Sequence, residues 1–111
     1  METIDFNVFE QVDIRAGKII SAAPLEGARK PAYKLCIDFG EKLGEKQSSA
    51  QITDYYTAEE LEGKTILAVV NFAPKRIAGF RSEVLVLGVY AKDGVVLIAP
   101  THAVAPGDKL G

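Results

Sequence analysis

The stretch TILAVVNFAPKRIAGFRSEVLVLG, which runs from Thr65 to Gly88, decides the fold. It opens with a continuous apolar run over Thr65–Phe72, and a second run follows over Val84–Tyr90. Uninterrupted apolar runs of this length are typical of strands that are buried on both faces. The segment between the runs carries Pro74 and Gly79, so we expect a loop that joins two core strands.

In the rest of the chain, short β-branched and apolar runs alternate with Gly and Pro, a pattern that is typical of all-β proteins. A long first strand is predicted over Asp13–Ile20, with Gly17 marking a bulge or bend. The further predicted strands are Ala32–Phe39, Glu45–Ile52 and Val95–Ala99, and the tail after Pro100 is expected to be irregular.

Two short helices are expected beside these strands. Asp5 can cap the first helix, which ends near Val12. The second covers residues 57–63, where Thr57 and Glu60 have capping-box spacing and Gly63 suits the C-terminal left-handed position. Five strands with a helix between the third and the fourth match an all-β, five-stranded OB-fold barrel. At 111 residues, one domain over residues 1–111 is expected.

Composition points away from several classes of protein. The net charge of −2 means that any nucleic-acid site must be a local basic patch. Cys36 is the only cysteine, which rules out an internal disulfide and fits a reducing compartment. His102 is the only histidine and has no neighbours in sequence that would form a catalytic triad or a metal cluster. We therefore expect no enzyme activity, no cofactor and no metal.

The N-terminus lacks the basic start and apolar run of a signal peptide. The longest strictly apolar stretch, Ile66–Val70, is too short to cross a bilayer. These features predict a cytoplasmic protein without membrane insertion.

The segment between the two apolar runs holds the candidate binding residues. Cations and hydrogen-bonding side chains there can contact phosphates, sugars or bases, and these are Asn71, Lys75, Arg76, Arg81 and Ser82. Phe72 and Phe80 could stack on unpaired bases. Phe72, Ile77 and Phe80 are also the candidates for an apolar patch that binds a peptide. The alternative is a solvated basic hairpin whose three apolar residues simply pack into the barrel.

A polar run, Gln47–Gln51, interrupts the otherwise apolar strand pattern. It could offer hydrogen-bond partners to the backbone of a ligand. The alternative is an edge strand that only meets water.

The spacing Asn-x-x-Pro-Lys-Arg-x-x-Gly-x-x-Ser over residues 71–82 resembles the signature of the tRNA-binding-domain family. Asp13–Ile19 resembles the opening strand of that family, and residues 51–64 resemble its central segment. The strings over Lys46–Thr53 and Ala68–Gly88 are similar to the CsaA branch, which comprises export-related chaperones.

This resemblance implies an OB fold, a homodimer, no enzymatic activity and the binding of unfolded or precursor polypeptides. The wider family implies tRNA binding, for which Asn71, Lys75, Arg76 and Ser82 occupy the matching positions. One departure is Glu83, which places a negative charge beside the expected phosphate site. The leading hypothesis is thus a CsaA-like chaperone for protein export, and the alternative is a structure-specific tRNA-binding protein that uses the same loop.

Overall fold

The computed structural model describes all residues from Met1 to Gly111. Nine strands and three short helices follow one another along the chain. The helices are α1 (Phe6–Glu10), α2 (Gly40–Leu43) and α3 (Ala58–Leu61). The strands are β1 (Ile14–Pro24), β2 (Tyr33–Asp38), β3 (Glu45–Ala50), β4 (Thr65–Val69), β5 (Lys75–Ile77), β6 (Phe80–Ser82), β7 (Leu85–Val86), β8 (Gly88–Ala91) and β9 (Gly94–Leu97).

Five strands form one antiparallel sheet in the order β3-β2-β1-β4-β7. The long strand β1 pairs with β4 through Ile14–Lys18 and with β2 through Lys18–Pro24, so it belongs to both halves of the sheet. The outer edge of β3 then meets the segment that precedes β7, because the Glu83 amide donates to the Gln47 carbonyl at 2.8 Å. This contact brings the sheet back on itself as a nearly closed barrel, which confirms the predicted OB fold.

The core lies inside this barrel and follows the two-residue alternation of its strands. On β2, Leu35 and Ile37 point inward with at most 1% of their surface exposed, and Phe39 continues the pattern. Ile66 on β4 and Leu61 on α3 complete the centre. Ser48 is the one buried polar residue, and its hydroxyl donates to the Val84 carbonyl at 2.8 Å.

The helix between the third and fourth strands has the predicted capping box. The Thr57 amide donates to the Glu60 carboxylate at 2.7 Å, and the Glu60 amide donates to the Thr57 hydroxyl at 3.3 Å. Gly63 adopts a φ of +86° just after it, as predicted. The N-terminal helix is present, although the Asp5 side chain makes no capping hydrogen bond, so that part of the prediction is wrong. The one-turn helix α2 was not predicted.

Gly17 is not the site of the bulge. The register of β1 shifts between Ile19 and Ser21. An ideal Cβ on Gly17 would lie 2.6 Å from both Ile37 Cγ2 and Phe39 Cε1. Glycine stands there because two core side chains pack directly on its backbone.

The two apolar runs also differ from the prediction. β4 ends at Val69, and its burial alternates because Thr65 and Leu67 on its outer face are only half-buried. The run over Val84–Tyr90 is two strands, of which β7 pairs with β4 and β8 pairs with β9. Leu87 separates the two strands, and β8 begins at Gly88, where a side chain would collide with Val95 across the β8–β9 hairpin.

The tail is tied to β1 rather than free. The Ala16 amide donates to the Asp108 carbonyl at 2.9 Å, and the Leu110 amide donates to the Ile14 carbonyl at 2.9 Å. Arg15 also donates to the Gly107 carbonyl at 3.0 Å. No helix of the structure is long and apolar enough to cross a membrane.

Candidate binding site

The predicted loop between the apolar runs is a two-stranded hairpin. Its strands β5 and β6 pair Lys75 with Ser82, Arg76 with Arg81 and Ile77 with Phe80. Ala78 and Gly79 form the two-residue turn with φ values of +52° and +79°. Positive φ at both positions is the type I′ geometry that matches the twist of a hairpin. Six of the eight predicted site residues are therefore held on regular backbone, whereas Asn71 and Phe72 precede β5.

The pairing places Arg76 and Arg81 directly opposite each other on one face of the hairpin. Both side chains are exposed. Like charges at paired positions destabilise a hairpin, so this face favours an anionic partner. Arg76 donates only to the Gly79 carbonyl at 3.3 Å, and Arg81 forms one long ion pair, with 3.9 Å between its Nε and Glu83 Oε2.

Two other predicted nucleic-acid residues have partners within the fold. The Asn71 amide group donates to the Gln11 carbonyl at 2.7 Å and accepts from the Asp13 amide at 3.0 Å. It therefore ties the end of β4 to the connection between α1 and β1. The Ser82 hydroxyl accepts from the Ser49 amide at 3.0 Å, which links the hairpin to β3.

The three predicted apolar residues lie at the surface or near it. Phe72 has 55% of its surface exposed, and Ile77 and Phe80 are half-buried at the tip of the hairpin. None of the three belongs to the buried core. The alternative that all three side chains pack into the barrel therefore fails for Phe72. For Ile77 and Phe80 it holds only in part, because each side chain is only half-buried.

Two of the hollows beside the hairpin meet at the edge of β3. The first, which we call the apolar hollow, has a volume of about 220 Å³. Phe72, Ile77, Val84 and Leu85 supply its apolar wall. Its polar lining residues are Ser49, Lys75, Ser82 and Glu83, so the negative charge expected beside the site lies in this hollow. Leu85 is 49% exposed, so two large apolar side chains are open to solvent here. The arrangement can hold an apolar side chain of a ligand beside polar groups.

The second hollow, which we call the cationic hollow, has a volume of about 520 Å³. It lies between the β1–β2 loop and the tip of the hairpin. Its charged lining residues are Arg29, Lys30 and Arg76, and all three are exposed. Ser49 and Ile77 line both hollows, so the two sites adjoin each other at the edge of β3.

Arg29, Lys30 and Leu85 were not predicted as binding residues, whereas Ser49 belongs to the polar run Gln47–Gln51, for which ligand contacts were one of two alternatives. Arg29 and Lys30 stand out in sequence as adjacent cations in a Pro-bounded loop, but their closeness to Arg76 depends on how the barrel curls. Leu85 was assigned to a fully buried strand. Its exposure follows from the position of β7 at the edge of the sheet.

The ionisable groups at the ends of β1 and β2 have structural partners. Burial raises the pKa of the Cys36 thiol, and its hydrogen bond to Glu45 at 3.5 Å acts in the same direction. A raised pKa keeps the thiol protonated and poorly nucleophilic at neutral pH. The hydrogen bond from Arg15 lowers the pKa of Asp13, with an Nε–Oδ1 distance of 2.6 Å. No group of three His, Cys, Asp or Glu side chains is placed to hold a metal ion.

The chain is similar to a known domain family and to curated proteins that contain this domain. The family model of the tRNA binding domain matches residues 14–109. Among curated proteins, methionine–tRNA ligase from Methanoculleus marisnigri is 34% identical over 110 residues, which are 99% of this chain and 16% of that protein. The chain thus spans about one sixth of the length of the curated relatives it matches, and the matching part is an accessory domain of those enzymes.

Solved structures include closer relatives. The CsaA chaperone protein from Picrophilus torridus is 52% identical with a TM-score of 0.94, and the match covers 98% of this chain and all of that one. Chaperone CsaA from Bacillus anthracis is 50% identical with a TM-score of 0.92, covering 99% and 100%. A MetRS-related protein from Pyrococcus horikoshii is 31% identical with a TM-score of 0.87 over the whole of both chains.

The family match covers the barrel, the hairpin and the tail that closes on β1. Because the family model matches residues 14–109, including the signature hairpin between the apolar and the cationic hollow, this chain belongs to the tRNA binding domain family.

Proposed function

We propose that this protein is a non-catalytic, cytoplasmic chaperone that binds unfolded or precursor polypeptides for export, as a homodimer. The observation that carries the proposal is the exposure of Phe72 and Leu85 around the apolar hollow. Contiguous exposed apolar groups on a small barrel favour a partner surface over a solvated one. The relatives named CsaA chaperone support the same function.

The geometry suits reversible and unselective capture. Phe72, Ile77 and Leu85 offer apolar contact, while Lys75 and Ser82 on the rim can receive polar or acidic flanks of a client. Non-directional apolar burial tolerates many sequences, as a chaperone requires. Lys75, Ile77 and Ser82 lie on the paired strands of the hairpin, so little ordering of these three residues opposes binding.

The homodimer is supported by apolar surface elsewhere. On α1, Phe6 is 71% exposed, and its ring lies beside that of Phe9, with ring centroids 6.1 Å apart. On the β8–β9 hairpin, Val89 and Tyr90 are exposed as well. Two-fold pairing is the commonest way in which a small protein covers such surface. Sedimentation at micromolar concentration should therefore detect a dimer, and a monomer alone would contradict this part of the proposal.

A second candidate function is tRNA binding, which the cationic hollow favours. Arg29, Lys30 and Arg76 converge there, and Arg81 lies opposite Arg76 on the hairpin. Four cations within one region can neutralise several phosphates even though the chain has a net negative charge. The presence of the same domain in methionine–tRNA ligases supports this candidate.

A salt series separates the two functions. The purified protein is titrated against reduced, carboxymethylated lactalbumin, which stays unfolded, and against bulk tRNA. If apolar contact dominates, affinity for lactalbumin should change little between about 50 and 500 mM salt, whereas affinity for tRNA should fall steeply. Absence of lactalbumin binding at every salt concentration would refute the chaperone proposal. If the protein binds tRNA and does not bind lactalbumin, the result supports tRNA binding, the second candidate function.

A further inference from the structure

The outer edge of β3 is hydrogen-bonded to the chain at Gln47, whereas further along it has backbone groups without such partners. At Gln47 both backbone groups point away from β2, because the amide donates to Glu83 Oε1 at 3.1 Å and the carbonyl accepts from the Glu83 amide at 2.8 Å. Alternate residues of a strand direct their backbone groups to the same edge. Ser49 and Gln51 therefore point outward too. Burial alternates through Ile52, so the chain stays extended beyond the last paired residue, Ala50.

Backbone groups at this end of the edge lack partners within the protein. The Ser49 amide is bound by a side chain, the Ser82 hydroxyl. The Ser49 carbonyl has only the Ser48 hydroxyl at 3.4 Å, and the single proton of that hydroxyl is directed to the Val84 carbonyl at 2.8 Å. Neither the amide nor the carbonyl of Gln51 makes a hydrogen bond within the chain. The edge thus presents one donor and two acceptors.

Both hollows open onto this edge. Ser49 lines the apolar hollow and the cationic hollow, and Gln51 lines the cationic one. A third hollow of about 350 Å³ runs past Ser49–Ile52 toward Leu85 and Tyr90, with a mainly apolar lining. A strand laid along the edge would direct alternate side chains toward apolar walls and one end toward Arg29, Lys30 and Arg76.

We propose that a client polypeptide binds in extended form, as a short added β-strand on the Ser49–Gln51 edge of β3. This inference rests on the proposed polypeptide binding and specifies its mode. Strand addition draws affinity from backbone hydrogen bonds that every sequence can make. An acidic residue or a terminal carboxylate at the end of the segment complements the cationic hollow. The phosphates of a nucleic acid can only accept hydrogen bonds and cannot pair with the two carbonyl acceptors, so the regular donor and acceptor pattern of this edge favours a polypeptide backbone.

The substitution Gln51→Pro tests the inference with little disturbance. It removes the Gln51 amide proton, which has no partner within the chain. The extended conformation of the preceding residue, Ala50, is the one that proline requires. Gln51→Ala is the matched control, because it removes the side chain and keeps the amide. Affinity for reduced, carboxymethylated lactalbumin should fall about threefold to tenfold in Gln51→Pro, the worth of one backbone hydrogen bond, and should stay within about twofold of the parent in Gln51→Ala.

A peptide probe keeps the test independent of how Gln51→Pro folds. A labelled decapeptide of alternating valine and serine between two aspartates is titrated against the parent protein in three forms. One is unmodified, one is N-methylated at the valine amides and one is N-methylated at the serine amides. Since only one set of amides can face β3, one methylated form should lose most of its affinity and the other should retain it.

Each outcome decides a different point. Failure of the parent protein to bind lactalbumin or the unmodified peptide refutes the proposed function and the inference with it. Binding that Gln51→Pro and both methylated peptides leave unchanged refutes strand addition alone. Loss of the dimer in Gln51→Pro would assign this edge to a second copy of the chain and would also overturn the inference.

Discussion

The three charges of the cationic hollow lead to a quantitative prediction of how salt affects the affinity for tRNA. Replacing Arg29, Lys30 and Arg76 with Ala removes the three charges that line it. Each cation that neutralises a phosphate contributes about 0.7 to 0.9 to the slope of log affinity against log salt concentration. If all three meet phosphates, the magnitude of that slope should fall by about 2 to 3, and affinity at low salt should fall more than affinity at high salt. Filter binding of bulk tRNA across a salt series measures both quantities.

The control is a second triple variant with the same loss of charge. Lys42, Lys64 and Lys92 are exposed and line none of the three hollows around the hairpin. Replacing them with Ala should leave the slope within about 0.5 of the parent value, because distant charges are largely screened. Equal slopes for the two triple variants would refute a localised phosphate site. An unchanged slope in the triple variant of Arg29, Lys30 and Arg76 would refute phosphate contacts by these three residues.

Three predictions concern the fold itself. Gly17→Ala places a methyl group 2.6 Å from Phe39 Cε1, so urea unfolding should show a loss of about 1–3 kcal/mol, and an unchanged midpoint would contradict this packing. Arg15 lowers the pKa of Asp13, so the charged carboxylate stabilises the folded state above pH 4, and this contribution is lost as the pH falls further. The free energy of unfolding of Asp13→Asn should therefore lie about 0.5–1 kcal/mol below that of the parent at pH 7, and the gap should close toward pH 2. Ala78→Asn should raise the melting temperature by a few degrees, since asparagine tolerates the φ of +52° better than alanine, and a lower value would contradict the turn geometry.

The barrel could be predicted because local signals mark several of its strands, namely the alternation of β2 and the apolar run that contains β4. Leu35 and Ile37 on β2 are buried as the two-residue period requires, and the capping box of Thr57 and Glu60 formed at its predicted place. These signals are local, so no knowledge of distant contacts is needed to interpret them. The apolar run over Thr65–Phe72 was harder, because its length predicts burial but does not say where the strand leaves the sheet.

The site could be predicted only in part, because its residues come from segments that are distant in sequence. The Pro74 and Gly79 signals indicated a loop, whereas pairing of Ile77 with Phe80 makes it a hairpin. Nothing near Asn71 in the sequence shows that its side chain binds the backbone at Gln11 and Asp13, about sixty residues away. The convergence of Arg29 with Arg76 depends in the same way on the closure of the barrel.

The central claim is that exposed apolar residues around the apolar hollow bind unfolded polypeptide. The double substitution Phe72→Ser and Leu85→Ser tests it most directly, since both side chains are about half exposed and their loss should disturb the core little. Tyr55→Ser is the control, because Tyr55 is similarly exposed but lines none of the three hollows around the hairpin.

The measurement is the affinity of each purified protein for reduced, carboxymethylated lactalbumin by fluorescence anisotropy, with the melting temperature recorded beside it. The double variant should bind at least about tenfold more weakly than the parent at every salt concentration, because two half-exposed apolar side chains contribute about 1 kcal/mol each when a client covers them. Tyr55→Ser should match the parent, and all three proteins should melt within a few degrees of one another. Parental affinity in a folded double variant would contradict the account.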